Sequence, residues 1–147
     1  MDPATLTLQT QLATTPTRAF RALTRAGQLR RWFVDSLDYD RSLLVFGAGR
    51  QLTFITGTVL AGQGQVTTFR PPSVLEYSWN NETLRFELDA EGEETSLTFT
   101  NTIYGAQAEA IAEASVPDWE EALARLRGLF TGDGPELHGD EAQEGQE

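Results

Sequence analysis

The sequence contains no cysteine, no lysine and a single histidine in 147 residues. Without cysteine there is neither a disulfide nor a thiolate metal site. Without lysine there is no side-chain amine to form a Schiff base with a carbonyl substrate. The one histidine, His138, falls in a glycine-rich acidic tail and reads as a solvated spacer residue rather than a proton shuttle or metal ligand. The usual nucleophile–base pairs and nitrogen or sulfur metal sites are thus missing from the folded part, and no catalytic residue, metal ligand or cofactor is assigned. Carboxylates remain as acids or bases, but Glu120 and Glu121 fall on the outer face of an expected helix and Glu93-Glu94 in a turn.

Long apolar runs are also missing. No stretch approaches the roughly 20 residues that span a bilayer, and Met1-Asp2-Pro3-Ala4-Thr5 has neither the basic start nor the apolar stretch of a signal peptide. The expectation is a cytoplasmic protein with no membrane insertion. Basic excess is absent too: 22 acids face 11 bases, all arginine, for a net charge of −11. Six of the acids (Asp133, Glu136, Asp140, Glu141, Glu144, Glu147) follow Gly132 with no arginine among them, which leaves 16 acids against 11 arginines, or −5, for residues 1–131. A body of that sign is repelled by phosphate backbones, so no nucleic-acid partner is expected. Arg18, Arg21 and Arg25 share one side of the first helix and read as a solvated face rather than an anion site.

What is present is alternation. Thr5 to Leu12 places Leu6, Leu8 and Leu12 on one face, the pattern of a half-buried strand. Thr15-Pro16 opens a helix buried through Ala19, Phe20 and Leu23; Gly27 breaks it, and a short second helix carries Leu29, Trp32 and Phe33. Strands follow, punctuated by glycine or proline: Leu37–Tyr39 and Leu43–Phe46 as weak segments, then Gln51–Thr56, Gln65–Arg70 ending at Pro71-Pro72, Val74–Trp79, Thr83–Leu88 and Thr95–Ile103. After Gly105 the period becomes helical. Gln107–Ala114 reads as a short helix closed by Val116-Pro117. Asp118–Phe130 reads as a longer one, with Trp119, Leu123 and Leu126 inward and Glu120, Glu121, Arg125 and Arg127 outward. The fold class is therefore α+β: one antiparallel sheet of about six to seven strands covered by a long C-terminal helix, with two short helices after the first strand. Residues 1–131 form the domain, and 132–147 an acidic tail expected to be disordered.

Four segments carry a family resemblance. Thr17-Arg18-Ala19-Phe20-Arg21-Ala22-Leu23-Thr24 with Leu29-Arg30-Arg31-Trp32-Phe33, then Phe69-Arg70-Pro71-Pro72-Ser73-Val74-Leu75-Glu76-Tyr77-Ser78-Trp79, then Thr95-Ser96-Leu97-Thr98-Phe99-Thr100, and last Trp119-Glu120-Glu121-Ala122-Leu123-Ala124-Arg125-Leu126, follow one another in the family's order. Together they resemble the START-like helix-grip (SRPBCC) superfamily, and within it the branch named after the activator of the heat-shock-protein ATPase. Asp118, where that branch usually has glycine, and Gly47-Ala48-Gly49-Arg50-Gln51-Leu52, where an aromatic is common, depart from its pattern in the loops. The resemblance implies a curved sheet gripping the last helix and a cavity between them that takes hydrophobic ligands.

Trp32, Phe54, Tyr77, Trp79, Phe86, Phe99, Asn101, Trp119 and Leu123 are the candidate ligand-binding residues. Each aromatic alone is ordinary core, but together they line the space where a START-like domain holds its ligand. Asn101 is the most informative, an amide in the otherwise apolar series Leu97, Phe99, Ile103. A buried amide needs a protein group, a water or a ligand as partner. The favoured function is a binding module for an apolar or aromatic small molecule, as a monomer or weak homodimer and without defined catalysis. The alternatives are a cavity-based enzyme, polyketide-cyclase-like or hydratase-like, and a co-chaperone-type or stress-related domain with a protein partner. The last is associated with a two-domain architecture and ranks behind the others.

Overall fold

Leucine alternation builds the first strand, β1 (Ala4–Leu12), with Leu6 and Leu12 buried and Thr5, Thr7, Gln9 and Gln11 exposed. The computed structural model describes residues 3–34, 36–57 and 59–130; the expected tail, His138 included, lies outside them. The Thr15 hydroxyl accepts the Arg18 N–H at 3.3 Å and Pro16 occupies the first position of α1 (Pro16–Thr24). The break before α2 (Ala26–Trp32) falls at Arg25, not Gly27, which lies inside α2. Arg25 is extended; its N–H reaches the Arg21 carbonyl at 2.9 Å, and its own carbonyl accepts Leu29 N–H at 2.7 Å. One residue thus closes the first helix and opens the second, so no glycine is needed for the turn.

The remaining strands are β2 (Gln51–Thr56), β3 (Val59–Arg70), β4 (Val74–Trp79), β5 (Glu82–Glu91) and β6 (Glu94–Ile103). They form one antiparallel sheet in the order β1-β6-β5-β4-β3-β2. Leu37–Tyr39 and Leu43–Phe46 are not strands; only Leu43 makes a bridge, to Thr53. The cause is local: the Asp38 carboxylate accepts the N–H of Asp40 and of Arg41 at 3.0 and 3.1 Å and folds the chain into a turn. β3 starts six residues earlier than expected from Gln65 because Gly62 and Gly64 belong to it. A Cβ at Gly62 would overlap the Trp79 indole, and one at Gly64 the Ser78 carbonyl. These glycines admit a neighbour rather than end a strand.

The C-terminal helix α3 (Ala108–Gly128) is continuous through Pro117, where two helices were expected. Proline leaves the Glu113 carbonyl without its helical donor and costs about 3 kcal/mol. Burying one leucine returns about 1.5–3 kcal/mol. Ala108 and Ala112 before the proline and Ala122, Leu123 and Leu126 after it are all buried, so docking outweighs the break. Arg125 corrects a second expectation. It does not face solvent: its Nε donates to the Trp32 carbonyl at 3.2 Å and its Nη2 to the Phe33 carbonyl at 3.3 Å. It caps the end of α2, whose last carbonyls favour a cation.

Leu126, with no exposed surface, tests the docking of α3. Leu126→Ala should lower stability by about 2–5 kcal/mol, read as an early midpoint in urea; an unchanged midpoint would mean that the helix does not cover the sheet.

Candidate functional site

The inner face of the sheet is paved with rings. Phe46 and Tyr77 lie with centroids 5.2 Å apart, Tyr77 and Phe86 6.2 Å, Phe86 and Phe99 4.9 Å, Phe99 and Trp119 4.6 Å. Trp32 sets its edge on Phe86 at 6.1 Å and donates its indole N–H to the Ala22 carbonyl at 2.8 Å. Of the nine candidate residues, Trp32, Phe54, Tyr77, Phe86, Phe99, Asn101 and Leu123 are enclosed side chains of this core. Trp79 and Trp119 are only half-buried, and they flank an open cleft of about 450 Å³. This cleft lies at one end of the sheet, between the β4–β5 turn and α3, and Tyr77, Phe99 and Asn101 do not line it.

Each wall is held by identifiable contacts. Trp79 lies flat on Phe54, with centroids 4.0 Å apart and planes 4° from parallel, over the space left by Gly62. Its Nε1–H points to the Ala61 carbonyl at 3.5 Å. Phe33 sits behind both tryptophans, 6.1 Å from Trp79 and 5.7 Å from Trp119. Asn80, with φ of 55°, makes the turn between the strands; its Nδ2 donates to Ala61 at 3.2 Å, and the Asn81 Nδ2 to the Tyr104 carbonyl at 2.6 Å. The lining is completed by Val34, Ser36, Glu82, Ser115, Asp118, Glu121, Ala122 and Arg125.

Asn101 is fully enclosed. Its Nδ2 donates to Glu82 Oε1 and to the Thr83 carbonyl, both at 3.2 Å, while its Oδ1 has no partner. The amide therefore stands one hydrogen bond behind the cleft wall, through Glu82. Glu82, Asn81, Ser115 and Arg125 were not singled out from the sequence. For Glu82 the signal was there: it is in phase with Leu84, Phe86 and Leu88, so period-two alternation turns this acid to the inner face. Arg125 had no such signal, because its partners lie on a helix about ninety residues away. Among the described residues no group of three or more acidic or histidine side chains is placed to hold a metal ion. No helix of the described residues is long and apolar enough to cross a membrane.

Residues 13–131 match the family model described as Activator of Hsp90 ATPase homolog 1-like protein. The chain belongs to that family. The START-like resemblance of the four segments thus holds across most of the chain. Solved structures agree on the fold. A protein from Mesorhizobium loti superposes with a TM-score of 0.73 at 15% identity, over 85% of this chain and 95% of that one. A Rhodobacter sphaeroides protein gives 0.72 at 20% identity, over 88% and 93%. The Aha1 dimer from Colwellia psychrerythraea gives 0.67 at 16% identity, over 89% and 99%. No curated protein matches this chain.

Tyr77 offers a test of the ring-filled interior. Burial pushes its phenol far above the ordinary tyrosine value, and the neighbouring Tyr39 adds to the shift. The unfolded chain ionises near pH 10 while the folded one stays neutral, so this contribution is intact below about pH 10 and is lost as pH rises beyond it. Urea midpoints at pH 8 and near pH 11 should fall further in the parent protein than in Tyr77→Phe; equal falls would mean that the phenol is not buried as described.

Proposed function

We propose that the protein is a small-molecule binding module whose ligand lies in the cleft between Trp79 and Trp119, its apolar body against the two indoles. The observation that carries this reading is the cleft itself. Its volume of about 450 Å³ falls within the roughly 300–1,000 Å³ usual for ligand sites, and its walls are the only two tryptophans left half-buried. The aromatic contact area favours an apolar or aromatic ligand, and membership of a START-like family supports a binding role. No nucleophile–base pair stands in the lining, which favours binding over turnover; Glu82 and Asp118 are the groups an enzyme reading would have to use as acid or base.

A neutral apolar fluorophore such as N-phenyl-naphthylamine tests the site. Trp119→Ala should weaken its binding about tenfold or more, since an aromatic pair is worth about 0.5–1.5 kcal/mol beyond the area it buries. The same titration on the parent protein should be saturable. An unaltered affinity in Trp119→Ala with a native thermal midpoint would remove the cleft as the site.

Self-association is a second reading, supported by Val59 and Leu60 at the β2–β3 hairpin, 65% and 56% exposed, and by the dimer that the Colwellia relative forms. Isolated apolar residues are common on surfaces, so this reading ranks second. Sedimentation velocity over a concentration series should show a monomer–dimer equilibrium that Leu60→Ser shifts toward monomer; one concentration-independent species would end it.

A further inference from the structure

We propose that the ligand of the cleft is an organic cation: an ammonium or comparable positive group joined to a flat apolar body. This names the ligand class of the binding reading above and rests on it. The inference comes from what the lining has left to offer. Its side-chain donors are largely spent on the protein's own carbonyls: Asn80 and Trp79 on Ala61, Asn81 on Tyr104. Arg125, the single cation of the lining, is spent on Trp32, Phe33 and the Glu121 carboxylate. The donors not so engaged, the Trp119 indole and the Ser36 hydroxyl, are neutral.

Acceptors, by contrast, are in surplus. Glu82 receives only the Asn101 amide, through Oε1. Asp118, which is exposed, has no ion pair or hydrogen bond among the described residues. Asn101 lies outside this lining and meets it only through the hydrogen bond of its Nδ2 to Glu82. With Glu121 balanced by Arg125 at 3.1 Å, the described residues of the lining keep two unbalanced negative charges, Glu82 on the sheet wall and Asp118 on the helix wall. A carboxylate ligand would meet those charges with no free guanidinium to receive it. A neutral apolar ligand would leave the acceptors to water. An ammonium supplies donors and positive charge together, and two tryptophans stand in the lining to receive it. The field of the whole domain has the same sign, with −5 over residues 1–131.

Three probes with one body and three charges separate the possibilities: phenylpropylamine, phenylpropanol and phenylpropionate, titrated calorimetrically into the full chain near neutral pH. The amine should bind at least about tenfold tighter than the carboxylate, with the alcohol between them, and high salt should narrow the gap. Asp118→Asn should shrink the preference of amine over alcohol. Trp119→Ala should weaken all three, which places them in the cleft. If the alcohol or the carboxylate matches the amine, or if Asp118→Asn leaves the preference intact, the cation assignment falls while the cleft stands as a binding site. If none of the three binds while N-phenyl-naphthylamine does, the cation assignment falls and the cleft stands; if the fluorophore fails as well, the binding reading falls with it.

Discussion

The contact on which the rest depends is Phe33. Its ring has no exposed surface and touches three tryptophans, Trp32 at 5.2 Å, Trp119 at 5.7 Å and Trp79 at 6.1 Å. These belong to α2, α3 and β4, so one side chain joins the small helices, the long helix and the sheet. Its carbonyl takes a guanidinium hydrogen bond from Arg125, which fixes the same junction through the backbone. Aromatic contacts contribute about 0.5–1.5 kcal/mol each beyond burial, and three of them converge here. The two walls of the cleft are joined through Phe33, which sets their spacing.

That junction also explains why the space opens at the end of the domain. Between β1 and β4 the inner face is filled by Phe99, Phe86, Tyr77 and the α3 side chains Leu123 and Leu126, all buried. At the β4–β5 turn the sheet reaches its edge of residues, the helix passes over it at Asp118–Arg125, and Trp79 is held to one side by Phe54 and Gly62. The polar groups gather there because the turn and the helix surface are both partly wet. Asn101 marks the border: its Nδ2 reaches Glu82 on the cleft wall, while its own carbonyl oxygen is buried without a donor.

Much of the fold was legible because it rests on local periodicity. The in-phase Leu97, Phe99, Asn101 and Ile103 are all buried in β6, as alternation requires. Trp119, Leu123 and Leu126 share the helix face that meets the sheet. Local rules misled where a distant partner overrode them. Pro117 ends a helix by its own chemistry, yet α3 runs through it because Ala108 and Ala112 before it and Ala122, Leu123 and Leu126 after it are docked. The strand expected from Gln65 starts at Val59 and takes in Gly62 and Gly64, where Trp79 and Ser78 press against it from β4.

The sequence by itself determined the order of elements, the buried face of each and the excess of acid over base, since these follow from residue spacing and composition along one segment. Only the tertiary structure decided which inward residues became core and which became the rim of a cleft. Depth is a property of two elements meeting, and alternation specifies a direction without a distance. Phe54 and Trp79 have the same sequence signature, but Phe54 is sealed and Trp79 is not. The difference is set by β3, Phe33 and the helix that arrives some forty residues later.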